Sequence, residues 1–229
     1  MRLLLIAVSL SLMLTIHAHE SAGAIDDRKS QPAWKLSDEE RLARRFDPQS
    51  MKERRAKEAT EPFGFKRETD AAKDDTTNVI VGARNPELLM PWELFNHLMN
   101  TTNLPEEDHR DGWRRIYEER ATALEIPADF WQRLDRVTES YRALIASRWE
   151  AEALLNNDDR GDDSAAIARL QDIEKASCSE RARALERARL ELGREWFDRF
   201  LYTAPARSLT VVSNDETPAE HRRISGGCR

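Results

Sequence analysis

Apolar and polar residues divide the chain into segments of different character, beginning with an apolar run over residues 3–16. The run follows the basic Arg2 and precedes a polar stretch that ends in Ala22-Gly23-Ala24, which is typical of a secretory signal peptide. It has fourteen residues, fewer than the roughly 20 that a membrane-spanning helix needs. We therefore predict a signal peptide over residues 1–24, with cleavage after Ala18 as the alternative. The mature protein is expected to be secreted or periplasmic, without a membrane span.

Residues 25–77 are rich in charged side chains and poor in branched apolar ones, which predicts a flexible, poorly ordered arm with short helices. A short helix is predicted from Ser37 to Phe46. Ser37 and Glu40 have the spacing of a capping box at its start, and Asp47-Pro48 would stop it. A second helix is predicted from there to about Ala59. Its charges surround it, which favours a solvated helix or linker; a basic arm that docks an acidic partner or anionic lipid is the alternative.

Residues 78–202 carry apolar side chains at intervals of three or four, which predicts a helical domain. The two longest amphipathic segments, 127–156 and 164–202, are separated by a short polar turn. This pattern predicts a long antiparallel helical hairpin with a coiled-coil-like seam, broken once by Arg148. Shorter helices from the preceding part of the domain are expected to pack on the hairpin. The predicted fold class is therefore all-α.

The segment from Pro86 to Asn100 is the most apolar one after the signal, and Pro91 should begin a fresh helix there. We expect this helix to belong to the core. The alternative is a docking face for a client or a lipid, because methionine and aromatic side chains adapt to apolar partners. The candidate binding residues of such a face are Met90, Trp92, Phe95 and Met99.

The chain has two cysteines, Cys178 in the last predicted helix and Cys228 in the tail. In an oxidising compartment this arrangement predicts a disulfide. The bridge would close a loop of about fifty residues and stabilise the fold by roughly 4 kcal/mol. We therefore predict a disulfide-tethered tail over residues 203–229, running as a coil even at the β-prone segment 208–212. A bridge between two molecules through Cys228 is the alternative.

The charge balance and the absence of sequence motifs narrow the function. With 36 basic and 42 acidic residues, the net charge of −6 argues against nucleic acid as a partner, because phosphate binding needs a basic face. No His-x-x-x-His, Cys-x-x-Cys, Gly-x-Ser-x-Gly or phosphate-loop motif occurs. Glu93 and His97 lie four residues apart and are interpreted as an ordinary surface pair, with a general base as the alternative. We predict no cofactor, metal ligand or catalytic residue.

The stretch from Leu192 to Phe197, Leu-Gly-Arg-Glu-Trp-Phe, is the nearest equivalent of a Leu-Thr-x-x-Gln motif that ends a helix in the Spy/CpxP group of periplasmic stress proteins. It keeps the leucine, while Gly193 and Trp196 replace the threonine and glutamine. Over about residues 120–202, the exported, charged helical chain is similar in outline to that group. The resemblance implies a dimeric, ATP-independent chaperone or envelope-stress role, and it transfers no functional residue.

The sequence thus predicts an exported, non-enzymatic helical protein that binds another macromolecule, either a protein partner or a client, with homodimerisation as a further expectation. One alternative is a small hydrolase or metal-dependent enzyme with a dispersed site, for which Glu93, His97 and His109 are the first candidates. Another is a structural or adhesive surface protein, in which the acidic turn Asp158–Asp163 or the basic arm contacts surfaces or ions.

Overall fold

The computed structural model describes residues 31–60, 77–155 and 164–214, which form eight α-helices and one two-stranded sheet. The helical class is therefore confirmed for this part of the chain, and none of its helices is long and apolar enough to cross a membrane. The signal segment, residues 1–24, lies outside the described residues. The elements are α1 (Asp38–Arg45), α2 (Pro48–Thr60), β1 (Thr77–Val81), α3 (Pro91–Thr101), α4 (Glu107–Arg120), α5 (Phe130–Val137), α6 (Glu139–Leu155), α7 (Ser164–Leu192), α8 (Arg194–Thr203) and β2 (Thr210–Asn214).

Helix α3 lies in the core and packs against α6, α7 and α8. As predicted, it begins at Pro91, whose missing N–H costs nothing at the first helical position. Its Leu94, Phe95 and Leu98 are fully buried, and burial of one such side chain contributes about 1.5–3 kcal/mol. The Phe95 ring stacks on Tyr141 of α6 with 5.9 Å between ring centroids. The most apolar segment of the sequence is therefore the helix around which the others pack.

Each of the two long helices predicted from the sequence is interrupted at one residue. Helix α5 ends before Thr138, whose hydroxyl donates to the Leu134 carbonyl at 2.7 Å, and α6 begins directly after it. Helix α7 ends before Gly193, which has φ of +88°, a backbone conformation that glycine adopts readily. The prediction of unbroken helices over 127–156 and 164–202 is therefore wrong.

Helices α6 and α7 pack side by side in opposite directions. Arg187 of α7 donates to the Val137 carbonyl at 2.9 Å, at the start of the α5–α6 pair, whereas Arg169 pairs with Glu150 at 3.2 Å, further along α6. Residue numbers therefore rise along one helix as they fall along the other. The connection over residues 156–163, with its acidic turn, lies outside the described residues, so the hairpin itself stays a prediction.

The β-prone segment after α8 forms a strand. Strand β2 pairs antiparallel with β1, and Ile80 lies opposite Val211 in the register. The prediction that residues 208–212 run as a coil is wrong, because the apolar run Val79-Ile80-Val81 supplies a partner strand that the sequence places far away. Ile80 is fully buried, which joins the small sheet to the helical core.

Gly82, directly after β1, lets the two chain segments approach closely. Its N–H donates to the Leu209 carbonyl at 2.9 Å. A Cβ at this position would lie 2.2 Å from the Ala206 carbonyl oxygen, closer than any side chain tolerates. A glycine is therefore required where the first strand meets the returning chain.

The N-terminal helix α1 is packed on the core through two buried arginines. Arg45 is 0% exposed, and its Nη1 donates to both carboxylate oxygens of Glu93 in α3, at 2.8 and 3.0 Å. Arg41 is 1% exposed and lies 4.4 Å from the centroid of the Tyr202 ring in α8. Its Nη2 also donates to the Leu36 carbonyl at 2.9 Å. Helix α1 is therefore part of the folded domain.

The predicted helix boundaries in the arm are confirmed, whereas its predicted poor order is not. Ser37 and Glu40 form the predicted capping box, and α2 begins at Pro48. The prediction of a poorly ordered arm is wrong for α1, because its arginines are desolvated against α3 and α8. Residues 25–30 and 61–76 of the arm lie outside the described residues.

Replacing two glycines by alanine tests these helix assignments, because the two substitutions should change the free energy of unfolding in opposite directions. Gly112 lies inside α4 with open space around it, so Gly112→Ala should raise the free energy of unfolding by about 0.5–1 kcal/mol. Gly193→Ala should lower it by about 1–2 kcal/mol, because alanine disfavours positive φ. Urea unfolding of both variants measures the two changes. Stabilisation by Gly193→Ala would show that α7 and α8 form one continuous helix.

Candidate functional site

A cleft of about 420 Å³ opens between α3, α6 and α7. Helix α3 contributes Trp92, Asn96 and Asn100, which lie four residues apart and so share one helical face. The opposite side of the same helix carries the buried Leu94 and Leu98. The sequence of α3 therefore places one face in the core and the other along the cleft.

The amides on the α3 wall are held in fixed orientations. The hydroxyl of Tyr141, from α6, donates to Asn96 Oδ1 at 2.6 Å. Asn100 Nδ2 donates to the backbone carbonyl of Asn96 at 2.7 Å and to its Oδ1 at 3.1 Å. Side chains that are held in this way can bind a polar ligand with little further loss of conformational entropy.

Tyr141 acts as a hydrogen-bond donor in this site. Burial raises the pKa of its hydroxyl to about 12, against the opposing effect of the nearby Arg181 and Arg148. The phenol is therefore protonated at neutral pH and donates to Asn96. A hydroxyl in this state serves neither as a general base nor as a nucleophile.

Arg181 of α7 places a cation over an aromatic face. Its guanidinium carbon lies 4.5 Å from the centroid of the Trp92 ring, a cation–π contact worth about 0.5–2 kcal/mol. Burial lowers the pKa of Arg181, and the hydroxyl of Tyr141 and the carboxylate of Glu93 oppose that effect. Arginine keeps its charge under such conditions, so the cleft presents a half-buried cation beside an indole.

Charges of both signs line the rest of the cleft. On α6, Arg148 donates to Glu152 at 2.7 Å, one helical turn away. Glu174 of α7 lines the same cleft. A concave surface with an aromatic ring, fixed amides and charges of both signs is suited to binding a polar or amphipathic segment.

Three of the four predicted binding residues belong to the core. Met90 is 4% exposed, and Phe95 and Met99 are fully buried. A docking face made of these side chains is wrong, because a partner could reach them only by displacing α3. Trp92 is half-buried and lines the cleft, so it is the only one of the four that remains a candidate contact.

The three candidates for an enzymatic site have separate partners. Glu93 binds Arg45 and accepts from the Met90 N–H at 2.9 Å, so the predicted surface pair of Glu93 with His97 is wrong. His109 is exposed and lies 3.9 Å from Glu106. Within residues 31–60, 77–155 and 164–214, no group of three or more histidine, cysteine or acidic residues could hold a metal ion.

His97 forms a contact that its sequence neighbours do not predict. Its Nε2 lies 3.0 Å from Ser208 Oγ, 111 residues later in the chain. Burial, with a smaller effect from the Arg120 cation, lowers the pKa of His97 to about 4. An imidazole with so low a pKa is a weak base at neutral pH. The contact instead holds the turn before β2 against α3.

The polar residues of the cleft were missed from the sequence for an identifiable reason. Asn96 and Asn100 are ordinary polar residues on a helix face, and their role depends on Tyr141, about forty residues later. Arg148 carried a signal, because it is the one polar break in the predicted seam of the hairpin. Arg181 carried none, since charged residues are frequent throughout α7.

Cys178 also lines the cleft. The described part of the chain contains no free cysteine. Cys228 lies outside that part, so the Cys178–Cys228 bridge stays a prediction.

Comparison of the chain with protein-family models, with curated proteins and with solved structures found no match.

The low pKa of His97 predicts a pH-dependent stability. The imidazole is neutral in the folded protein down to about pH 4 but is protonated below about pH 6.5 in the unfolded chain. The contribution of the neutral His97 to the free energy of unfolding is therefore fully present above pH 6.5. It is lost as the pH falls to 4, and the total loss is about 3 kcal/mol. Urea unfolding at pH 7 and pH 4.5 measures this loss.

His97→Gln, which keeps a hydrogen-bonding side chain, should remove that part of the pH dependence. His109→Gln is the matched control, because His109 is exposed. Equal pH profiles for the two variants would contradict a buried, neutral His97.

Proposed function

We propose that this chain is an exported, non-enzymatic binding protein, and that it binds an extended segment of another protein in the cleft between α3, α6 and α7. The observation that carries the proposal is the Arg181 guanidinium stacked on Trp92 beside the fixed amides of Asn96 and Asn100. Tryptophan and arginine are among the side chains enriched at the positions that contribute most binding energy in protein interfaces.

The chemistry of the cleft fits a polypeptide segment. An extended segment exposes backbone N–H and C=O groups, which the side-chain amides of Asn96 and Asn100 can pair with. The Trp92 ring supplies apolar contact area with little side-chain entropy to lose. Arg181 favours a segment with an acidic side chain near the indole.

The enzymatic alternative has less support. The low pKa of His97 and the high pKa of Tyr141 keep both groups neutral near pH 7, without the proton affinity that a general acid or base needs there. The expected export and the outline similarity to Spy/CpxP proteins favour a client-binding, chaperone-like role. Homodimerisation stays a prediction of that similarity.

A client-binding role is tested by suppression of aggregation. The full chain should reduce light scattering by a chemically unfolded client at stoichiometric ratios. Trp92→Ala and Arg181→Gln should each weaken client binding by about tenfold, equivalent to about 1.4 kcal/mol, because each removes one side of the stacked pair.

Two variants outside the cleft serve as controls. Arg183→Gln changes an exposed arginine on the same helix. Trp131→Ala changes a second half-buried tryptophan with an arginine, Arg114, stacked on it at 5.3 Å. The proposal fails if the wild-type chain suppresses no aggregation, or if the cleft variants behave like these two.

A further inference from the structure

We propose that residues 215–228 of this chain are the resident occupant of the cleft, held there by a Cys178–Cys228 disulfide, and that a partner segment binds only in competition with them. The inference rests on the cleft of the proposed function. It concerns what covers that cleft in the isolated protein. The segment lies beyond the described residues, whereas the walls of the cleft that would receive it lie within them.

Cys178 lies on the α7 wall of the cleft, three residues before Arg181, and the two therefore share one helical face. The described part of the chain contains no free cysteine, and Cys228 is the only other cysteine in the sequence. A disulfide holds the two Cα atoms about 4.4–6.8 Å apart. A bridge from Cys178 to Cys228 would consequently place the end of the segment inside the cleft rather than beside it.

The chain is long enough to reach the cleft and starts from a suitable place. The segment from residue 215, directly after Asn214 at the end of β2, to Cys228 has fourteen residues, and fourteen extended residues span up to about 50 Å. Helix α7, with 29 residues, is about 43 Å long. Ser208, six residues before the end of β2, is held against His97 of α3, the helix that forms the opposite wall.

The side chains of the segment suit the charges of the cleft. It contains Glu220 and, two residues further, the basic pair Arg222-Arg223. The Arg181 cation of the cleft can pair with Glu220. The exposed Glu174 can pair with one of the two arginines. Gly226-Gly227, just before Cys228, allow a close approach of backbone to the wall, since glycine has no side chain to obstruct it.

An occupant tied to its own site competes strongly with a free partner. A tethered segment acts at an effective concentration in the millimolar range when its linker matches the span. Client binding by the disulfide-bonded chain should therefore be weaker than binding by a chain whose tail is released. The bridge would thus set how much of the cleft is available.

Hydroxyl-radical footprinting of the full chain tests the occupant directly, because mass spectrometry reports the labelling rate of each tryptophan. In the oxidised wild-type chain, the Trp92 side chain should be shielded. In Cys228→Ser, Trp92 should be labelled several-fold faster, whereas Trp131, which lies outside the cleft, should keep its rate. Wild-type chain treated with a thiol reductant should match the variant, which separates release of the tail from misfolding of the variant.

Two results would overturn the inference. The first is an equal labelling rate of Trp92 in the oxidised, reduced and Cys228→Ser chains. The second is a covalent dimer in non-reducing mass analysis, which would assign Cys228 to a second molecule. The footprinting uses no client, so shielding of Trp92 without any client binding would count against the proposed function alone. Client binding with unchanged Trp92 labelling would count against this inference alone.

Discussion

The buried ion pair between Arg45 and Glu93 is the interaction on which the arrangement of the domain depends. It joins α1 to α3 across 48 residues, with both side chains almost fully removed from water. The same Glu93 carboxylate accepts from the Met90 N–H and so also caps the first turn of α3. Loss of one partner would leave the other as an uncompensated buried charge, at a cost of about 3–5 kcal/mol. The position of α3, and with it the Trp92 wall of the cleft, follows from this pair.

The polar groups of the interior serve structure, while those of the cleft are arranged for recognition. His97 is neutral and joins α3 to the chain that returns toward β2. Tyr141 is protonated and fixes Asn96. At the cleft the domain presents a cation over an aromatic ring beside fixed side-chain amides in a concave surface. This difference is why the proposed activity is binding rather than chemistry.

Features set by a few neighbouring residues could be predicted from the sequence, whereas those set by distant pairs could not. The capping box of Ser37 and Glu40 and the helix start at Pro91 depend on local backbone hydrogen bonds. The Arg45–Glu93 pair and the pairing of the two strands join segments far apart in the chain. Charge density suggested a loose arm around Arg45, because a sequence does not show which arginines become buried. The break at Gly193 did have a local signal, a glycine inside a helical pattern.

A double-mutant cycle on Arg45 and Glu93 tests most directly whether the N-terminal helix is fixed to α3 by this pair. Arg45→Met, Glu93→Gln and the double variant would be unfolded in urea and their free energies of unfolding compared with that of the wild-type chain. We predict that each single change costs about 3 kcal/mol, and that the two are coupled by at least about 2 kcal/mol. Additive effects, with a coupling below about 0.5 kcal/mol, would contradict the account. Additivity would mean that the two side chains contribute to stability independently, which is not expected of two charges in direct contact in the interior.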